Sequence, residues 1–138
     1  MIRPRSLSDF KALGEGTFPG WLGVDILEVA SDRVSAQLVV EQRHFAPNGY
    51  LHAAVVVGLA DTACGYGCIA GLPDGATGFT TIELKSNFIG AATSETLVCE
   101  AQLVHGGRTT QVWDAVVSTE TSKELALFRA TQLILYRQ

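Results

Sequence analysis

The chain has 138 residues, 47% of them hydrophobic and 17% charged, and a net charge of −4. That length predicts one domain with a real core; the acidic balance argues against a nucleic-acid surface and the apolar content against disorder. Cys64, Cys68 and Cys99 are scattered and odd in number, which predicts small buried thiols in a reducing cytoplasm rather than a disulfide framework or a metal site.

Residues 1–17 read as an N-terminal extension with one short helix, and nothing in Met1–Phe10 has the apolar run of a signal peptide. Leu7, Phe10, Lys11 and Leu13 recur at helical spacing behind Ser6 or Ser8 as N-cap, and Gly14 and Gly16 end the pattern. Phe18-Pro19-Gly20 predicts a turn and 21–29 a strand. Ala30-Ser31-Asp32-Arg33 then predicts a hairpin into 34–40, where Val34, Ala36, Leu38 and Val40 alternate with polar residues. Residues 42–50 read as loop.

From the Pro47-Asn48-Gly49 turn to about Ala70 the chain is apolar, too long for a strand, and rich in Ala and Leu, so it reads as a helix. It is apolar on nearly every face, as expected of a helix wrapped by the rest of the protein. Residues 53–72 match a membrane span in length, but Asp61 near the middle, four glycines and the absence of flanking Lys or Arg argue against one. Asp61 has no cation at helical spacing, and a buried carboxylate is costly to ionise.

Leu72-Pro73-Asp74-Gly75-Ala76 ends the helix, and strands follow over 78–89, 95–104, 109–119 and 125–137. The glycines of His105-Gly106-Gly107-Arg108 predict a hairpin turn. Two strands, a long helix and four strands joined by tight turns make an α+β protein, with a five- or six-stranded antiparallel sheet curled around the helix.

His44-Phe45-Ala46-Pro47-Asn48-Gly49-Tyr50-Leu51-His52-Ala53-Ala54, followed by Leu59-Ala60-Asp61-Thr62-Ala63, resembles the signature of hotdog-fold acyl-CoA thioesterases of the phenylacetate-pathway type. Residues 80–88 and 104–109 resemble the family's next two strands, so the similarity spans about 18–136. It implies one hotdog domain, hydrolysis of an aromatic or short-to-medium acyl-CoA, a homodimer or dimer of dimers, and no cofactor or metal. It also implies Asp61 as general base or nucleophile, the Ala53 N–H as donor to the thioester carbonyl, and His52 and Thr81 as supporting groups. The sequence departs from the pattern at Ala46, where the family has asparagine, and at Ala53, where it has the first glycine of a pair. Asn48, two residues after Ala46, is a candidate replacement in substrate binding.

The residues support that chemistry independently. Negative charge developing on a thioester oxygen needs a donor, and unpaired N–H groups at a helix start supply one. Hydrolysis needs a carboxylate toward water or the acyl carbon, and Asp61 is the acidic residue of the helix. Ala53 and Asp61 are eight residues apart, about 12 Å along a helix, so one thioester hardly touches both on one chain. Two antiparallel helices would join them, and Ala54, Gly58, Asp61 and Gly65 form a small-residue face for close approach, which predicts a homodimer with shared sites.

Competing readings stay open for each residue. Asp61 can be a buried structural carboxylate, His52 a residue fixing the helix start, Thr81 an ordinary strand threonine, and Gly49 a turn glycine. Arg108 and Lys85 are either solvated charges or cations for coenzyme A phosphates. The rival activities are an acyl-thioester hydratase or dehydratase on the same fold, and a non-catalytic acyl-CoA-binding module.

Overall fold

The computed structural model describes residues 3–138, so the first two residues of the predicted extension lie outside it. Helix α1 spans Leu7–Gly14, and Ser6 and Asp9 close its first turn as a capping box. The stretch expected to be a turn and the start of a strand is instead a second short helix, α2, over Phe18–Leu22. Thr17 stands at its N-cap and Pro19 in its first turn, where the missing proline N–H is no loss. Gly23 ends it in a left-handed conformation, so strand β1 begins only at Val24 and runs to Val29.

Strand β2 (Arg33–Val39) returns antiparallel to β1, and a 3-10 turn over Gln42–His44 leads into the loop. Helix α3 spans Ala53–Ala70, followed by β3 (Ala76–Phe88), β4 (Thr96–Gly106), β5 (Thr110–Thr119) and β6 (Glu124–Tyr136). The six strands form one antiparallel sheet in the order β1-β2-β4-β5-β6-β3. α3 touches every strand of it, which is the hotdog arrangement of a helix inside a curled sheet. The chain therefore has the expected α+β fold, with six strands.

Helix α3 is long and apolar enough to cross a membrane by length and composition. In the fold it is the core: Leu59, Ala60, Ala63 and Cys64 are fully buried with Leu38, Leu97, Cys99, Trp113 and Val117 from the sheet, and Cys68 is buried in a second cluster with Leu72, Ala76 and Ile134. Burial pushes the Cys68 and Cys99 thiols up to about 12, so they are protonated core groups. Gly67 lets Trp113 reach the helix backbone, since a Cβ there would lie 2.3 Å from the indole.

The small-residue face of α3 receives parts of its own chain. A Cβ at Gly58 would meet Leu22 at 2.7 Å and Phe18 at 3.2 Å, so α2 sits on the helix there. Gly65 accommodates the Phe79 ring in the same way, with a Cβ distance of 3.1 Å. Glycine at these positions brings aromatic side chains up to the turn of helix that carries Asp61.

The two sheet edges differ. β1 has six residues and a bulge between Ile26 and Glu28, features that blunt an edge. β3 has thirteen, pairs among the described residues only with β6, and exposes Ile82, Leu84 and Phe88.

Candidate active site

His52 is the N-cap of α3, and its Nδ1 accepts the Ala54 N–H at 3.0 Å. The backbone around it is fixed by His44, a buried residue whose carbonyl accepts the His52 N–H at 2.9 Å. The His44 Nδ1 accepts the Glu41 N–H at 2.9 Å, so Nε2 carries the proton and donates to the Leu22 carbonyl at 2.7 Å. One imidazole thus ties the loop, the end of α2 and the start of α3 together. With Ala54 capped, the exposed Ala53 N–H has no hydrogen-bond partner among the described residues. It points outward from the positive end of an 18-residue helix.

The loop before it is preorganised. Gly49 has φ +85°, a conformation that L side chains rarely adopt, and the Asn48 Oδ1 accepts the Tyr50 N–H at 3.2 Å. The Asn48 amide oxygen therefore shapes the turn. Gln42, Phe45, Ala46, Pro47, Gly49 and Thr93 line a groove of about 470 Å³ there, so the alanine at the family's asparagine position borders open space.

Asp61 lies two turns further along α3, against a cavity of about 220 Å³. Phe18, Pro19, Tyr66, Ile69 and Phe79 give that cavity apolar and aromatic walls, with Thr81 beside the carboxylate. The Asp61 Oδ1 is buried and has no hydrogen-bond partner among the described residues. Burial raises its carboxyl above the ordinary value, and the neighbouring Thr81 hydroxyl pulls weakly the other way. The Thr81 hydroxyl itself donates to Gln132 Oε1 at 2.7 Å.

Lys85 and Arg108 stand apart from this cavity. A register shift between Thr81 and Glu83 separates their strand into two phases. Thr81 pairs with buried Gln132 on the helix side, whereas Lys85 pairs with exposed Arg129 on the outer face. There Lys85 borders a cavity of about 330 Å³ shared with Asn87, Asp114 and Arg129. Arg108 follows the end of β4, its guanidinium 5.5 Å from the centre of the Tyr136 ring, whose hydroxyl donates to the Arg108 carbonyl at 2.6 Å. Within one chain, then, Asp61 and Thr81 come together, His52 and Ala53 form a separate helix-start site, and Lys85 and Arg108 belong to neither.

Gln132 and the aromatic walls were not apparent from the motif. Gln132 had a signal, because it is a lone polar residue at the core-facing period of a strand otherwise carrying Phe128, Ala130 and Ile134. Phe18 and Tyr66 had none, since the arrival of α2 over α3 is a tertiary event.

Residues 48–126 match the thioesterase superfamily. A 1,4-dihydroxy-2-naphthoyl-CoA hydrolase of Listeria monocytogenes is 30% identical over 110 residues, 80% of this chain and 89% of that protein. The acyl-coenzyme A thioesterase PaaI of Escherichia coli is 31% identical over 109 residues, 78% and 75% of the two chains. The crystal structure of thioesterase HI1161 from Haemophilus influenzae superposes with a TM-score of 0.89 at 25% identity, covering 96% of this chain and 92% of that one. With its helix-in-sheet fold and this match over more than half its length, the chain belongs to the thioesterase superfamily.

Proposed function

We propose that this protein is an acyl-CoA thioesterase acting on an aromatic acyl group, with two sites shared across a homodimer. The observation that carries the reading is the unpartnered Asp61 oxygen against an aromatic-walled cavity. A cavity of about 220 Å³ suits a one- or two-ring acyl group, and the naming of the Listeria relative as a naphthoyl-CoA hydrolase supports that class.

The division of groups along α3 supports the dimer. Ala53 offers its N–H about 12 Å from Asp61, so each site takes the helix start of one protomer and the carboxylate of the other. The open β3 edge, with Ile82, Leu84 and Phe88 exposed, is the surface that supplies the pairing. The Ala53 N–H holds the carbonyl oxygen as it gains charge, and Asp61 takes a proton from the attacking water. Collapse of the tetrahedral adduct breaks the C–S bond and the coenzyme A thiolate leaves with the proton. If Asp61 attacks the acyl carbon itself, the C–S bond breaks as a mixed anhydride forms, the coenzyme A thiolate leaves, and water then cleaves the anhydride to the free acid and the Asp61 carboxylate.

The test is release of free thiol from aromatic, short-chain and long-chain acyl-CoAs. The expected result is fastest turnover on aromatic thioesters, lost in Asp61→Asn. Binding without turnover would replace this reading by that of an acyl-CoA-binding module. A single turnover in oxygen-18 water separates the two routes, since label enters the Asp61 carboxylate only through the anhydride.

A further inference from the structure

Behind Thr81 the sheet buries two glutamines side by side, Gln111 on β5 and Gln132 on β6, in direct register with each other and with Thr81 on β3. Their amides are satisfied very differently. Gln111 uses both ends: its Nε2 donates to the Gly71 carbonyl at 2.9 Å and its Oε1 accepts from the Trp113 indole at 2.9 Å. That is a structural tie between the sheet and the end of α3.

Gln132 is fully buried and uses only Oε1, which accepts from Thr81. Its Nε2 has no partner among the described residues. Buried amide donors without partners are rare in native proteins and costly to keep. A second orphan, the Oδ1 of Asp61, belongs to a carboxyl that neighbours the same Thr81 hydroxyl and lines one cavity with it. One hydroxyl that can both give and receive thus neighbours two side chains, one with a donor and one with an acceptor left without a partner.

We infer that Gln132 is a positioning residue for Asp61, acting through Thr81 by a hydrogen-bond chain whose direction follows the charge on Asp61. With Asp61 protonated, the chain runs as the structure shows it, the Thr81 O–H donating to Gln132 Oε1. When Asp61 gives up its proton to water, the carboxylate needs a donor. The Gln132 amide turns about its Cγ–Cδ bond, its N–H donates to the Thr81 oxygen, and the Thr81 hydrogen turns to Asp61. One carboxylate oxygen gains a donor, and the remaining orphan is a neutral carbonyl oxygen. Glutamine is the side chain that serves both directions, because its two ends are donor and acceptor in the same volume.

The surroundings leave this chain as the local control on the carboxylate. Of the groups facing Asp61, α2 contributes Phe18 and Pro19 and β3 contributes Phe79 and Thr81, none of which titrates. Its own helix adds Tyr66 and Cys64, both held protonated by burial. Among the described residues no cation is paired with Asp61.

The role of the chain in hydrolysis rests on the thioesterase reading; its effect on Asp61 does not. The experiment is therefore a carbon-13 NMR titration of the Asp61 carboxyl in the full-length protein, run beside the pH profile of kcat/KM. Gln132→Met keeps the volume and removes the amide, and Gln132→Leu removes both the donor and the acceptor with a differently shaped apolar chain. In both, the Asp61 titration is expected to move up by about one pH unit, and the acid limb of kcat/KM to follow. In a Thr81→Val background the same changes should move it no further, since the link is gone. Unaltered titration in folded Gln132→Met overturns the inference, as does a full shift that persists without Thr81. A moved titration in a protein without thiol release keeps the chain and discards the thioesterase reading.

Discussion

Replacing Asp61 by Asn should separate chemistry from stability, because the charge serves the first and burdens the second. Hydrolysis is expected to fall by about 10²-fold or more, the low end of general-base contributions, measured as thiol release at saturating substrate. Burial raises the Asp61 carboxyl above its ordinary value, so the native state holds that proton more tightly than the unfolded chain does. Stability from this group is therefore greatest at low pH and declines as pH rises through the native titration. Asp61→Asn should melt above wild type at pH 7, with the gap closing near pH 3, in a thermal-shift series. As a base, the same carboxyl must be ionised, so turnover should rise with pH through a midpoint higher than that of a solvated aspartate. His52 poses a different question. Its Nδ1 bond to the Ala54 N–H is a cap, so His52→Ala should cost about 1 kcal/mol in urea denaturation and His52→Ser should recover most of it. If activity recovers with the cap, the imidazole has no chemical role.

At the scale of elements, the helix and the sheet around it were legible in the sequence, and the pieces between them were not. Helix α3 announces itself by eighteen residues of apolar chain with a turn at each end, and β2, β4, β5 and β6 by their period-two alternation. Helix α2 escapes because five residues around a Phe-Pro-Gly run look like a turn, and what holds them helical is their seat on Gly58. The shift after Thr81 is hidden for a similar reason. Without it, residues 81, 83 and 85 would share one face and Lys85 would point to the helix side; the extra residue sends Lys85 to the opposite side. The orphan atoms of Asp61 and Gln132 are legible only in three dimensions, since they depend on what fails to arrive. The close fit of helix and sheet is itself testable. Gly67→Ala would place a methyl carbon 2.3 Å from a fully buried indole, and should cost about 1–3 kcal/mol in urea denaturation.

For the whole molecule, the proposed division of each site between the helix start of one protomer and Asp61 of another has a direct test. A variant blocked at the entrance, Ala53→Pro, and Asp61→Asn should each be inactive alone. After mixing, denaturing and refolding together, one site in each mixed dimer has an intact helix start and an intact carboxylate. About a quarter of wild-type activity is expected if protomers pair at random. No recovery in samples shown by mass spectrometry to contain heterodimers would place both groups of each site on one chain.

The unequal edges of the sheet carry a consequence for how such a catalyst behaves in dilute solution. The bulged β1 edge resists further pairing, while β3 presents thirteen residues of open backbone with Ile82, Leu84 and Phe88 beside them. In the proposed dimer, that open edge is what a second protomer covers, so pairing follows mass action. Specific activity should drop as the protein is diluted, and Ile82→Lys should move that drop to higher concentration. A short peptide copying β3 should compete for the same edge, switching off turnover without ever entering the cavity beside Asp61.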